Sequence, residues 1–114
     1  MLTFIAQMAM AMWLHCSQPQ LMRVTCYLPT GYNTASGQPT HIGGCAGRRQ
    51  DIGKYAYVYD VNMNFVGKFE INDCGGHPML RNGTAIDIFR DNRDQAQNWV
   101  STYGDYMYVF IKEE

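Results

Sequence analysis

The sequence predicts a mainly β domain, a small closed barrel with one late α-helix, on three observations. Eight Tyr, five Phe and two Trp stand with Val, Ile and Thr in short runs, a composition suited to pleated, half-buried strands. Clusters of Gly, Pro, Asn and Asp separate the runs. Only one stretch, close to the C-terminal end, carries apolar residues at helical spacing. A length of 114 residues is near the commonest size for one domain, so a single core is expected. Closing the sheet on itself would remove its exposed edges.

Residues 1–20 read as an apolar leader or extension, and residues 21–114 as the domain. Residues 1–14 are uncharged, rich in Met and Ala, and too short to cross a bilayer as a helix, so no stable membrane span is expected. They resemble the apolar region of a secretory signal, without a preceding Lys or Arg and without a small-x-small cleavage site. Export is one expectation. An added apolar helix, or an upstream translated piece with Met22 beginning the domain, is the other. Pro19 marks a polar linker.

Residues 22–27 alternate and form the first expected strand, which Pro29 ends. Residues 30–47 are loop-like, with five Gly and Pro39. Within them Thr34-Ala35-Ser36-Gly37 could bring amides and hydroxyls to a ligand, although a solvated connection is the simpler reading. Asp51-Ile52-Gly53-Lys54 reads as a tight turn into a strand over 55–59, with Tyr55, Tyr57 and Tyr59 on one face. Those tyrosines could stack on sugar, but packing on a barrel exterior is the plainer role. Residues 60–64, with Asn62 and Asn64, predict a hairpin turn, and 65–72 return as a strand in which Gly67 marks a bulge or a close approach. Residues 85–89 are a further strand. Asp91 is the expected helix cap, with Asp94 in the first turn. Ala96, Trp99, Val100 and Tyr103 would share one buried face, and Gly104 would end the helix. Residues 106–111 form the closing strand before a solvated Lys112-Glu113-Glu114 tail.

Nine basic residues face ten acidic ones, for a net charge of −1, and no block of like charge occurs. That balance lacks the electrostatic footprint of a nucleic-acid binder. Cys16, Cys26, Cys45 and Cys74 are spaced too irregularly for a zinc ribbon; they permit disulfides without defining a pairing, and buried thiols are equally consistent.

The chemistry concentrates between Phe69 and Phe89. Asp73 closes the apolar run Phe69-Glu70-Ile71, and Asp87 interrupts Ala85-Ile86-Asp87-Ile88-Phe89. Burying an unpaired carboxylate is expensive, and strand alternation turns Asp87 to the face opposite Ile86 and Ile88. If that face is a cleft, two carboxylates from adjacent strands would meet in it. The plainer readings are a turn aspartate bonding the amides of Gly75 and Gly76, and a barrel-mouth Asp87 bonded near Thr25 or Tyr27. Cys74 and His77, with Cys45, His41 or Asp73, suggest a metal or thiol site, but two close ligands do not make a four-ligand zinc centre. No metal or cofactor is expected.

Taken in order, Thr25-Cys26-Tyr27, Thr34-Ala35-Ser36-Gly37, Ile52-Gly53 before Tyr57-Val58-Tyr59, Asp73-Cys74-Gly75-Gly76, Ile86-Asp87-Ile88-Phe89, the helix with Ala96, and Tyr108-Val109-Phe110-Ile111 resemble the three-aspartate (3D) domain family. That family occurs in bacterial and phage cell-wall proteins and is related to the catalytic domain of membrane-bound lytic transglycosylase A. The resemblance spans residues 23–111 and implies a six-stranded double-psi β-barrel with its cleft beside the two aspartate-bearing strands. It implies a lytic transglycosylase acting on peptidoglycan glycan strands, with Asp87 as general acid and then base and Asp73 orienting or tuning it. Gly75 and Gly76 would let amides approach the sugar, and Tyr27, Thr34, Ser36 and Gly37 would line the glycan groove. A secreted or envelope location follows, with phage-type release as another route to the wall. Two departures stand out. Cys45-Ala46-Gly47-Arg48-Arg49 fills the region where the family carries its remaining aspartate, and Cys74 replaces a threonine. They open a second expectation, a non-catalytic cell-wall binding or assembly module of a phage or mobile element.

Overall fold

The computed structural model describes residues 18–114, so the leader and Cys16 lie outside the described residues. Six strands close into a barrel in the order β1-β5-β2-β4-β3-β6. They are β1 (Gln20–Tyr27), β2 (Gly44–Gly47), β3 (Tyr55–Tyr59), β4 (Phe65–Cys74), β5 (Ala85–Phe89) and β6 (Tyr106–Lys112). Two pairs, β1 with β5 and β2 with β4, are parallel, and the remaining pairs are antiparallel. Met22, Val24, Cys45, Val58, Ile71, Ile86, Ile88, Met107 and Val109 point inward and are buried. The mainly β barrel is therefore as expected.

Four local expectations are corrected. The presumed loop over 30–47 ends in β2, whose four residues are all buried. A short helix α1 (Pro78–Asn82) joins the late helix α2 (Arg93–Tyr103), so the described residues form two α-helices where one was expected in the domain. The α2 cap is Asn92, not Asp91: its side chain accepts from the Gln95 amide at 2.9 Å, while Gln95 Oε1 accepts from the Asp91 amide at 3.1 Å. This reciprocal arrangement satisfies two donors together, which a cap at Asp91 would not do. Trp99 is buried against Phe69 and Tyr103, with ring centroids 5.8 and 4.8 Å away, but Val100 is exposed at the margin of the helix.

The β3–β4 hairpin forms as read. Asp60 Oδ1 accepts from the amides of Asn62 and Asn64, each at 2.9 Å, and Met63 takes a left-handed φ of 64°. The register shifts beside Gly67, where a Cβ would meet the Phe69 ring at 2.9 Å. Lys68 and Lys112 lie over the rings of Tyr55 and Tyr57, at 4.4 and 4.8 Å, so this face is packed by cation–π contacts. The tail is less free than expected, because Glu114 pairs with Lys68 at 3.5 Å. Among the described residues no helix is long and apolar enough to cross a membrane.

Candidate functional site

The two aspartates do not sit on adjacent strands. β2 runs between them: Ala46 lies opposite Asp73 of β4 on one side and Asp87 of β5 on the other. Thr25 of β1 lies opposite Asp87 and extends the row. A register shift after Cys45 lets Ala46 skip Asn72 and match Asp73, which brings both carboxylates into this row. Strands two places apart are roughly 10 Å from each other, about one Debye length at physiological salt. The carboxylates thus influence one another without sharing a proton.

Asp87 is half-buried. Thr25 Oγ1 donates to its Oδ1 at 2.9 Å, which leaves Oδ2 as the oxygen able to present a proton to the cleft. Burial pushes the Asp87 carboxyl above the ordinary aspartate range; the Thr25 hydrogen bond opposes this, and the charge on Asp73 adds to it. The cleft beside it, about 200 Å³, is lined by Arg23, Thr25, His77, Met79, Leu80, Ala85 and Asp87. Helix α1 forms one wall. His77 Nδ1 accepts from the Met79 amide at 3.2 Å, Pro78 begins the helix and Gly83, at φ 82°, ends it. Leu80 is its buried anchor.

Asp73 has a different task. Its Oδ1 accepts from the amides of Ala35 and Cys74, at 3.0 and 2.9 Å, and not from Gly75 or Gly76. It thereby ties the Thr34-to-Gly37 turn to the end of β4, helped by the Ser36 amide donating to the Asn72 carbonyl at 3.1 Å. Thr34 is buried, its hydroxyl within 2.8 Å of Ser36 Oγ and donating to the Gln38 carbonyl at 2.8 Å. Gly37 takes a φ of 89° and closes the turn through its amide, which donates to the Thr34 carbonyl. Two amides that the sequence offered to a ligand, those of Ala35 and Ser36, are therefore engaged inside the protein. Gly75 and Gly76 do not line the Asp87 cleft. A Cβ on Gly75 would come within 2.7 Å of Leu80 Cδ1, so its bareness seats α1, whereas Gly76 has open space around it.

Tyr27 feels the charges of Asp73 and Asp87 but does not line the Asp87 cleft. Its ring meets Phe89 edge-on at 5.4 Å, and its hydroxyl is buried without a hydrogen-bond partner. Burial, with contributions from Asp73, Cys45 and Asp87, holds the phenol well above its usual pKa. A neutral phenol in that position keeps a donor available, and leaving a buried hydroxyl unpaired is costly.

Arg23, His77 and Met79 were not anticipated as cleft residues. Arg23 was legible in principle, since it is two positions from Thr25 and shares its strand face. Asp51 is separate from the row. It is buried and accepts from Arg48 Nε at 2.9 Å and Lys54 Nζ at 3.2 Å. Cys26, Cys45 and Cys74 are free thiols; burial raises Cys26 to about 11 and pushes Cys45 up as well. Among the described residues, no three His, Cys, Asp or Glu gather as a metal site, so Cys74 and His77 find no further ligand.

No protein-family model matches the chain, and no curated protein matches it.

Proposed function

We propose that this protein is a lytic transglycosylase-like domain that cleaves peptidoglycan glycan strands, with Asp87 as its general acid and base. One observation carries the reading: Asp87 faces a cleft from a half-buried position that favours its protonated form, with one oxygen fixed by Thr25. A carboxylic acid kept protonated toward neutral pH is what protonation of a glycosidic oxygen requires. Its proton passes to the leaving oxygen as the glycosidic bond breaks. The resulting carboxylate then takes the proton of the muramoyl 6-hydroxyl as that oxygen bonds to the anomeric carbon. The nucleophile belongs to the substrate, so the spacing rule for paired glycosidase carboxylates does not govern the site. Asp73 anchors the Thr34-to-Gly37 turn and its charge adds to the rise of the Asp87 carboxyl, and the double-psi barrel of the resemblance supplies the scaffold. The working place would be the cell envelope, reached by export or phage-type release.

A second reading has its own support. Ala46 stands between Asp73 and Asp87, in the region where the 3D family carries another aspartate. A domain lacking that carboxylate could bind the wall without cutting it. Incubation with purified peptidoglycan, followed by mass analysis, separates the two. The transglycosylase reading expects 1,6-anhydromuramoyl ends that fall by about 100-fold or more in Asp87→Asn, the usual range for removal of a general acid. Sedimentation with the wall and no anhydro ends favours the binding module. Neither product nor binding overturns both.

A further inference from the structure

Another cleft, about 510 Å³, is lined by Arg49, Gln50, Cys74, Gly75, Gly76 and Arg81. Its two guanidinium groups come from different elements. Arg49 opens the 3₁₀ turn Arg49–Asp51, and Arg81 lies in the last turn of α1. Among the described residues, neither has an ion-pair, hydrogen-bond or ring partner for its side chain. The neighbouring Arg48 shows the contrast, since it binds buried Asp51. Two like charges on one cleft with no carboxylate between them repel, and an anion between them would remove that cost. The acidic groups next in sequence to this cleft are both engaged: Asp73 receives two backbone amides through Oδ1, and Asp51 receives Arg48 and Lys54. The floor is open as well: a Cβ on Gly76 would meet nothing within 4 Å, so a ligand can approach the backbone there.

We infer that Arg49 and Arg81 form a carboxylate-binding subsite that takes the acidic stem peptide of the glycan substrate. The inference rests on the proposed function for the identity of the ligand, and on the paired arginines for its chemistry. Planar guanidinium groups match a carboxylate in two-point hydrogen bonds, and Gln50 adds an amide. The two clefts share no lining residue, and α1 contributes to both, Met79 and Leu80 to the Asp87 cleft and Arg81 to this one. A glycan placed at Asp87 would extend its peptide branch around that helix.

The test is calorimetric titration of the intact chain with N-acetylmuramoyl-L-alanyl-D-glutamate, compared with the same fragment converted to its diamide. The acid should bind at least about ten-fold more tightly than the diamide, and Arg49→Gln/Arg81→Gln should abolish the difference. Both arginines are exposed, so the double variant is expected to fold, and an unchanged melting temperature checks this. Equal binding of acid and diamide overturns the inference, as does equal displacement of the acid by inorganic phosphate, which would mark a general anion site. Titration needs no turnover. A chain that binds the acid through these arginines but yields no anhydro ends keeps this subsite and loses the catalytic reading; one that cleaves glycan but ignores the carboxylate does the reverse.

Discussion

Asp51 and Asp87 are both withdrawn from water, and the barrel treats them in opposite ways. Among the described residues, Asp51, 2% exposed, receives Arg48 and Lys54, whereas the half-buried Asp87 carboxyl receives only the Thr25 hydroxyl. Burial is the largest single influence on each and raises both. For Asp51 the hydrogen bonds and charges of Arg48 and Lys54 together outweigh it and hold the carboxyl below its ordinary range. For Asp87 nothing outweighs it, and the carboxyl stays above. The same residue type thus serves as a structural anion in one place and as a candidate acid in another. Cations decide which.

Removing Asp51 should have the largest effect on stability. Asp51→Ala leaves Arg48 and Lys54 without their shared partner, but both are about a third exposed and can turn to water. The expected loss at pH 7 is therefore about 2 kcal/mol, below the usual cost of stranding a fully buried charge. Because the folded pKa is depressed, Asp51 contributes its stability above the unfolded value and loses it as pH falls through the folded value. Urea unfolding at several pH values should show the wild-type advantage shrinking in acid below about pH 4. A gap that stays constant into strong acid would mean that the ion pairs do not hold the turn.

Thr25→Val comes next. The substitution keeps the shape and deletes the one side-chain hydrogen bond that Asp87 accepts among the described residues, at an expected cost of about 1 kcal/mol. It should also raise the Asp87 carboxyl further, since Thr25 opposes the effect of burial. Carboxyl carbon resonances followed through a pH titration report that shift directly. An unchanged Asp87 titration would break the contrast drawn with Asp51.

How far the chain disclosed all this can be argued from particular residues. β1, β3 and β4 were legible from alternating or β-rich runs bounded by turn residues, and β5 and β6 from short apolar and aromatic runs. β2 was not, because Gly44-Cys45-Ala46-Gly47 has no β-branched residue and is buried throughout. It becomes a strand only through β4 and β5 on either side, a non-local cause that no window of sequence contains. That omission also misplaced the site, since without β2 the two aspartates look adjacent. Asp87 itself was readable as a charge inside an apolar strand, and a bond near Thr25 was one of the two roles its position suggested. Helix α1 had local signals, His77, Pro78 and Gly83, but only one buried residue to mark a face.

The smallest expected effect is on the stability of Asp87→Asn. The amide oxygen can still accept from Thr25, so the change removes the charge and little else. Asp87 has a raised folded pKa, so its protonated form contributes stability below the unfolded value and that contribution is lost as pH rises through the folded value. At neutral pH the wild type bears an ionised, poorly solvated carboxylate and the variant does not. The variant should melt slightly higher there, by a gain of under about 1 kcal/mol. The gain should disappear near pH 3, where both side chains are neutral. Thermal melts at the two pH values measure this directly. A variant that is less stable at neutral pH would show that the Asp87 anion is held by favourable interactions, as Asp51 is, and would remove the physical basis for assigning it the role of an acid. A variant that gains stability while losing anhydro products would instead connect the two halves of the argument, because the strain of the buried carboxyl would be the property that its chemistry uses.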